Sequence, residues 1–195
     1  FAAAIAEAPG AVILPTFVQP AQRSAADAPM VENAPLAQFS ADSLLASVNV
    51  VADSDGKVRR YLRGFAAEDS YRPTMAALMA GEAYGRTAPF HIDYGIQPSS
   101  IPTLSFKDVY ANDFDPALVR GRRVLIGATA LELGDNLATP RHGILPGVFV
   151  HALAFESLTQ GRALTGPHPL FILVLILGVA FALRPTRQAA SLNAM

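Results

Sequence analysis

The chain has 195 residues, with 15 Lys and Arg against 16 Asp and Glu for a net charge of −1, and neither Cys nor Trp. Charged residues make up only 16% and hydrophobic ones 51%, against roughly 25% charged in an average soluble domain. This balance excludes a disordered polyelectrolyte and a basic nucleic-acid binder, and the lack of Cys excludes disulfide staples and Cys-ligated zinc or iron–sulfur sites.

In chain order, the opening AAAIAEAPG reads as the last turns of a helix stopped by Pro9 and Gly10. Ala11 to Leu14 is a short apolar run that predicts a buried strand, and residues 19 to 43, rich in Ala, Pro, Ser and Asp, predict a long surface connection. Val48–Val51 and Val58–Phe65 flank Asp53-Ser54-Asp55-Gly56, a pattern that predicts a β-hairpin. Pro73 opens a helix carrying Met75, Leu78 and Met79 at helical spacing, and Phe90–Tyr94 follows as a strand. Phe106, Val109 and Tyr110 predict a helical turn, and Asp115-Pro116 opens another at Leu118-Val119. Arg123–Ala128 (RVLIGA) predicts a buried strand, and Phe149–Leu158 a helix beginning after Pro146-Gly147. Together these predict an α/β fold, a mixed sheet flanked by helices and followed by a transmembrane helix.

The apolar excess is local. Ala163 to Leu183 is a charge-free stretch of 21 residues, of which Leu170–Leu183 (LFILVLILGVAFAL) has no polar side chain over 14 residues. The strict run makes about 21 Å of helix against roughly 30 Å of hydrocarbon, whereas the longer stretch would span. We expect a transmembrane helix over residues 165–184, with Arg184 and Arg187 placing a cytoplasmic tail at 185–195. The chain starts at Phe1 with no charged-then-apolar leader, so it is expected to be the middle of a longer protein.

The chemistry is sparse. Asp53 and Asp55 fail an EF-hand register, because Val51 and Leu62 would fall at ligand positions, so DSDG reads as a tight turn. Lys57, Arg59, Arg60 and Arg63 read as a charge-protected edge strand. The segment Gly127–Gly134 is neither a dinucleotide fingerprint nor a P-loop, and the His residues at 91, 142, 151 and 168 match no metal template. Neither catalysis nor a cofactor is expected. The strand at 123–128 leads into a polar segment carrying Thr129, Glu132, Asp135, Asn136, Thr139, Arg141 and His142, with His151 on the helix beyond. Beyond the carboxyl end of a strand, such a loop can hold a small polar ligand or order a subunit contact; alternatively Asp135 and Thr139 cap turns by bonding backbone amides.

The runs GRRVLIGATALELGDNLATP (Gly121–Pro140) and PGVFVHALAFESLTQGRAL (Pro146–Leu164) strongly resemble the type-two CHASE domain, an extracytoplasmic sensor of bacterial cyclases and kinases. NVVADSDGKVRR (Asn49–Arg60) and PTLSFKDVYAND (Pro102–Asp113) continue the match upstream. The resemblance implies a sensor domain over residues 1–164 lacking the family's N-terminal part, in a receptor of the bacterial inner membrane with the sensor in the periplasm. It further implies a homodimer, an unknown small-molecule or physical stimulus, and a cytoplasmic cyclase, cyclic-di-GMP or kinase output domain after Met195. It offers no catalytic residues. The alternative is a dimerisation scaffold without a ligand; a soluble enzyme fragment ending in a core helix is a third, weaker reading.

Overall fold

The structure is a computed structural model that describes residues 1–21, 30–67, 70–82, 85–164, 166 and 169–183. The chain divides into two compact units, Phe1–Leu164 and Thr165–Met195.

In the first unit, the short helix α1 (Ala2–Ala6) is followed by β1 (Ile13–Pro20), β2 (Met30–Asn33), α2 (Ala37–Ser40) and β3 (Leu44–Ser47). β1 pairs antiparallel with β2 and parallel with β3, which makes this three-stranded sheet mixed, as the sequence predicts. β1 extends well past Leu14 and is only partly covered, and β2 and α2 occupy part of the predicted connection over residues 19–43. Past the end of the β1–β3 ladder, Asn49 continues it with its side chain. Its Oδ1 accepts from Val18 N at 2.7 Å and its Nδ2 donates to Val18 O at 2.8 Å, so an amide side chain substitutes for a peptide unit.

The Asp-Gly turn forms as predicted, with Gly56 at φ 78° and Asp53 N donating to Lys57 O at 2.9 Å. The hairpin around it does not. β4 (Arg60–Leu62) pairs instead with the distant β7 (Pro89–His91), and β5 (Gly64–Ala67) pairs with β6 (Ser70–Pro73). Arg59 and Arg60 fold back onto the turn: Arg59 bonds Asp53 at 3.0 Å and Asp55 at 2.7 Å, and Arg60 bonds Asp53 at 2.6 Å. The guanidiniums hold both carboxyls well below the usual carboxylate range. The basic cluster is therefore largely neutralised from within: Arg63 bonds Glu82 and lies over the Phe90 ring at 4.9 Å.

α3 (Met75–Ala80) starts one residue after Thr74 and ends at Gly81, whose φ of 72° closes the helix in the left-handed conformation that glycine adopts without steric cost. α4 (Phe106–Tyr110) matches the predicted turn but lies exposed, with Phe106 and Tyr110 stacked at 6.2 Å. A 3₁₀ turn at Pro116–Leu118 follows Asp115, which caps it. The segment Arg123–Ala128 departs most from expectation. It is not a strand, and Val124 and Ile126 are 54% and 89% exposed. A strand needs a neighbour, and among the described residues no backbone group pairs with residues 123–129.

β8 (Asn136–Thr139) and β9 (Gly143–Pro146) then form a hairpin that runs straight into α5 (Gly147–Thr159). The main core lies between α5 and the β4–β7 pair: Val58, Tyr61, Phe90, Ile92 and Tyr94 on one side, Val150, Leu153 and Ala154 on the other. A second core joins Ala46 of β3 to Met75 and Met79 of α3, with Leu125 and Phe155 packed against it. The fold is thus mixed α/β, built from several small sheets instead of one continuous sheet.

In the second unit, α6 spans Pro169–Ala182, and its side chains from Leu170 through Ala182, with Leu183 beyond, are all exposed. The expected transmembrane helix over 165–184 is not found at that length: among the described residues no helix is long and apolar enough to cross a membrane. The helix begins where Pro169 fits its first turn, and the tail at 185–195 lies outside the described residues.

Candidate functional site

The predicted polar loop contains the β8–β9 hairpin. Its three-residue connection, Pro140-Arg141-His142, closes on Gly143 at φ 69°, the left-handed position that a connection of this length requires. Thr139, only 3% exposed, holds the turn: its Oγ1 donates to Gly143 O at 2.9 Å and accepts from His142 N at 3.2 Å. Leu137 and Leu145 face each other across the ladder and pack on the main core.

Two further contacts dock the hairpin. Ala138 O accepts from Val58 N at 2.8 Å. His142 Nε2 donates to Tyr94 O at 2.9 Å and Ile96 O at 3.2 Å, which places the proton on that nitrogen because both partners are carbonyls. Tyr94 in turn donates its hydroxyl to Val58 O at 2.6 Å.

The hairpin is also tied to the start of α5. Asp135 O accepts from Gly147 N at 2.9 Å, and the Asp135 carboxylate lies so close to Gly147 that any Cβ there would collide with it. A carboxylate beside the N-terminal amides of a 13-residue helix is favourable by about 0.3–1 kcal/mol. One turn on, His151 Nδ1 stands 2.6 Å from the Tyr61 hydroxyl, with the rings edge to face. Burial pushes His151 down to about 4, against the opposing pull of the Asp135 charge, so the imidazole is neutral at pH 7 and accepts from Tyr61. Burial likewise raises the Tyr61 phenol, keeping it protonated.

The far end of α5 is fixed as firmly. Ser157 Oγ accepts from Asp93 N at 2.9 Å and donates to Leu153 O at 2.7 Å. Arg162 Nε meets Asp93 Oδ2 at 2.6 Å, and His91 N donates to Leu164 O at 2.8 Å. α5 is therefore held by the hairpin at its start, by β4 one turn later, and by β7 at its exit.

The eight candidate residues do not converge on one point. Asp135, Thr139, His142 and His151 are engaged in holding the hairpin and α5, while Asn136 is half-buried. Thr129, Glu132 and Arg141 are exposed and, among the described residues, make no side-chain hydrogen bond or ion pair. Among the described residues no group of three or more His, Asp or Glu could hold a metal ion. The sequence reasoning missed Tyr61, Tyr94, Asp93 and Arg162, whose partners lie far along the chain; only the four-residue spacing of Gly147 and His151 hints at a shared helix face.

The family model of the CHASE2 domain matches residues 1–183. The chain belongs to the CHASE2 family. CHASE2 domains are extracellular, non-catalytic sensory modules of signalling receptors. No curated protein and no solved structure matches this CHASE2 chain.

Proposed function

We propose that this CHASE2 domain is the periplasmic input module of a homodimeric bacterial membrane receptor, passing a stimulus through membrane helices to a cytoplasmic cyclase, cyclic-di-GMP or kinase domain. One observation carries the reading: the polar hairpin runs without a break into α5, and α5 is tied to the sheet by discrete polar contacts at both ends. Interfaces of that kind have alternative arrangements, so a stimulus at Thr129–His142 that favours one of them shifts α5 and the chain that follows it. α6 supports the membrane part. It is apolar on every side and exposed along its length, which water disfavours and lipid satisfies. As described it covers about 21 Å, and the charge-free stretch of 21 residues around it supplies the length of a span.

The test is Asp135→Ala in the intact receptor, with a thermal-shift screen of the 195-residue chain in detergent against periplasmic metabolites. A changed output with an intact fold supports the hairpin's role, and an unchanged stimulus response with an intact fold refutes it. Reproducible stabilisation, about 2.7 kcal/mol at a hundredfold excess over Kd, identifies a ligand; a flat screen favours the scaffold reading.

A further inference from the structure

Directly after β7, residues 92–96 form a tight turn wrapped around Asp93. Asp93 O accepts from Ile96 N at 3.2 Å, and Asp93 Oδ1 accepts from Gly95 N at 2.7 Å. The other carboxylate oxygen, Oδ2, meets Arg162 Nε at 2.6 Å, so one side chain fixes both the turn and the residues that lead out of the unit. Two backbone bonds reinforce that exit: His91 N donates to Leu164 O at 2.8 Å and Leu164 N to His91 O at 3.3 Å. On its other side the turn holds the tip of the β8–β9 hairpin. His142 Nε2 has two acceptors two residues apart, Tyr94 O at 2.9 Å and Ile96 O at 3.2 Å, and both of those residues are buried. The Tyr94 hydroxyl adds a bond to Val58 O, and Val58 N bonds Ala138 O of the hairpin.

We propose that this turn is a relay coupling the hairpin directly to the exit at residues 162–164, in parallel with α5. A donor shared between two carbonyls has two arrangements close in energy, and favouring one acceptor releases the other. The turn has little slack to absorb that shift, because a Cβ at Gly95 would already stand 2.7 Å from Asp93 Oδ1. Moving the backbone of residues 94–96 therefore moves the Asp93 carboxylate, and Arg162 follows it. The route through α5 crosses a helix of 13 residues, whereas Asp93 and Tyr94 are adjacent. The relay rests on the sensory reading given above and adds the route by which its hairpin reaches the exit.

Amide hydrogen exchange in the 195-residue chain in detergent tests the coupling from both ends. His142→Ala should speed exchange at the Asp93 and Leu164 amides about fivefold, the low end of coupling between sites. By reciprocity, Arg162→Ala should speed the His142 and Val58 amides by a similar factor. The Val18 amide, bonded to Asn49 and off this route, should not change in either chain. In the double variant the Asp93 amide should exchange no faster than in either single variant, since each breaks the same relay. His142→Gln retains an N–H donor and should keep Leu164 near its wild-type rate, as should Arg162→Lys for the His142 amide. Effects confined to the mutated end, rates that multiply in the double variant, or equal acceleration at Val18 overturn the relay. Those outcomes leave the sensory reading standing on the Asp135→Ala test. Reciprocal coupling in a receptor that ignores its stimulus keeps the relay and discards the sensory reading.

Discussion

Protonation of His151 should cost this domain stability in a defined pH window. Its imidazole is pushed from an ordinary 6.5 to about 4 by burial against Tyr61 and the main core. The folded state therefore binds the proton more weakly than the unfolded chain. Between pH 6.5 and 4 the unfolded state holds more protons, and stability falls as the pH is lowered through that range. A difference of 2.5 units at 1.36 kcal/mol each gives about 3 kcal/mol in full, of which about 2.5 kcal/mol is lost by pH 4.5. The perturbation is His151→Gln, which keeps an acceptor for the Tyr61 hydroxyl and removes the titration. Denaturant unfolding of both chains in detergent at pH 7.5, 6.0 and 4.5, followed by circular dichroism, reads the effect. The gap between wild type and variant should close, and then reverse, by about 2.5 kcal/mol between the first and last pH. Parallel pH dependences for the two chains, or a His151 NMR titration midpoint at 6 or above, would refute the reasoning.

Two further outcomes follow from the packing. Gly147→Val should destabilise by about 1–3 kcal/mol, because its Cβ meets the Asp135 carboxylate and the hairpin must shift; the melting temperature reads this, and Asp135→Ala in the same chain should recover part of the loss. Asn49→Leu should cost about 1–3 kcal/mol, since it leaves both Val18 backbone groups without partners, and hydrogen exchange should show local opening at the end of β1. A loss spread evenly over the protein would count against the local account.

Much of the fold was legible from local chemistry. The Asp-Gly turn, the helix carrying Met75, Leu78 and Met79, the capped turn after Asp115 and the helix after Pro146 each depend on residues close in sequence. The family resemblance rested on residues 49–60, 102–113, 121–140 and 146–164, and the family match over residues 1–183 agrees with it. Strand partners were not legible. The residues around Asp53–Gly56 carry a hairpin signal, but β4 finds β7 instead, since the burial of Tyr61 and Phe90 against α5 outweighs a local ladder. Arg123–Ala128 has the composition of a buried strand, yet composition supplies no neighbour, and the segment stands unpaired and half-exposed.

The candidate residues divide along the same line. Their polarity and their place before α5 were readable in order along the chain. Thr139 ties a turn to residues three and four positions away, but only the tertiary structure docked His142 on the Tyr94 carbonyl, set Asp135 over Gly147 and put His151 against Tyr61, because those contacts join segments that are not neighbours along the chain. The charge-free stretch at 163–183 is a property of sequence alone; where its helix begins and how far it runs are settled by backbone conformation, with Pro169 in its first turn.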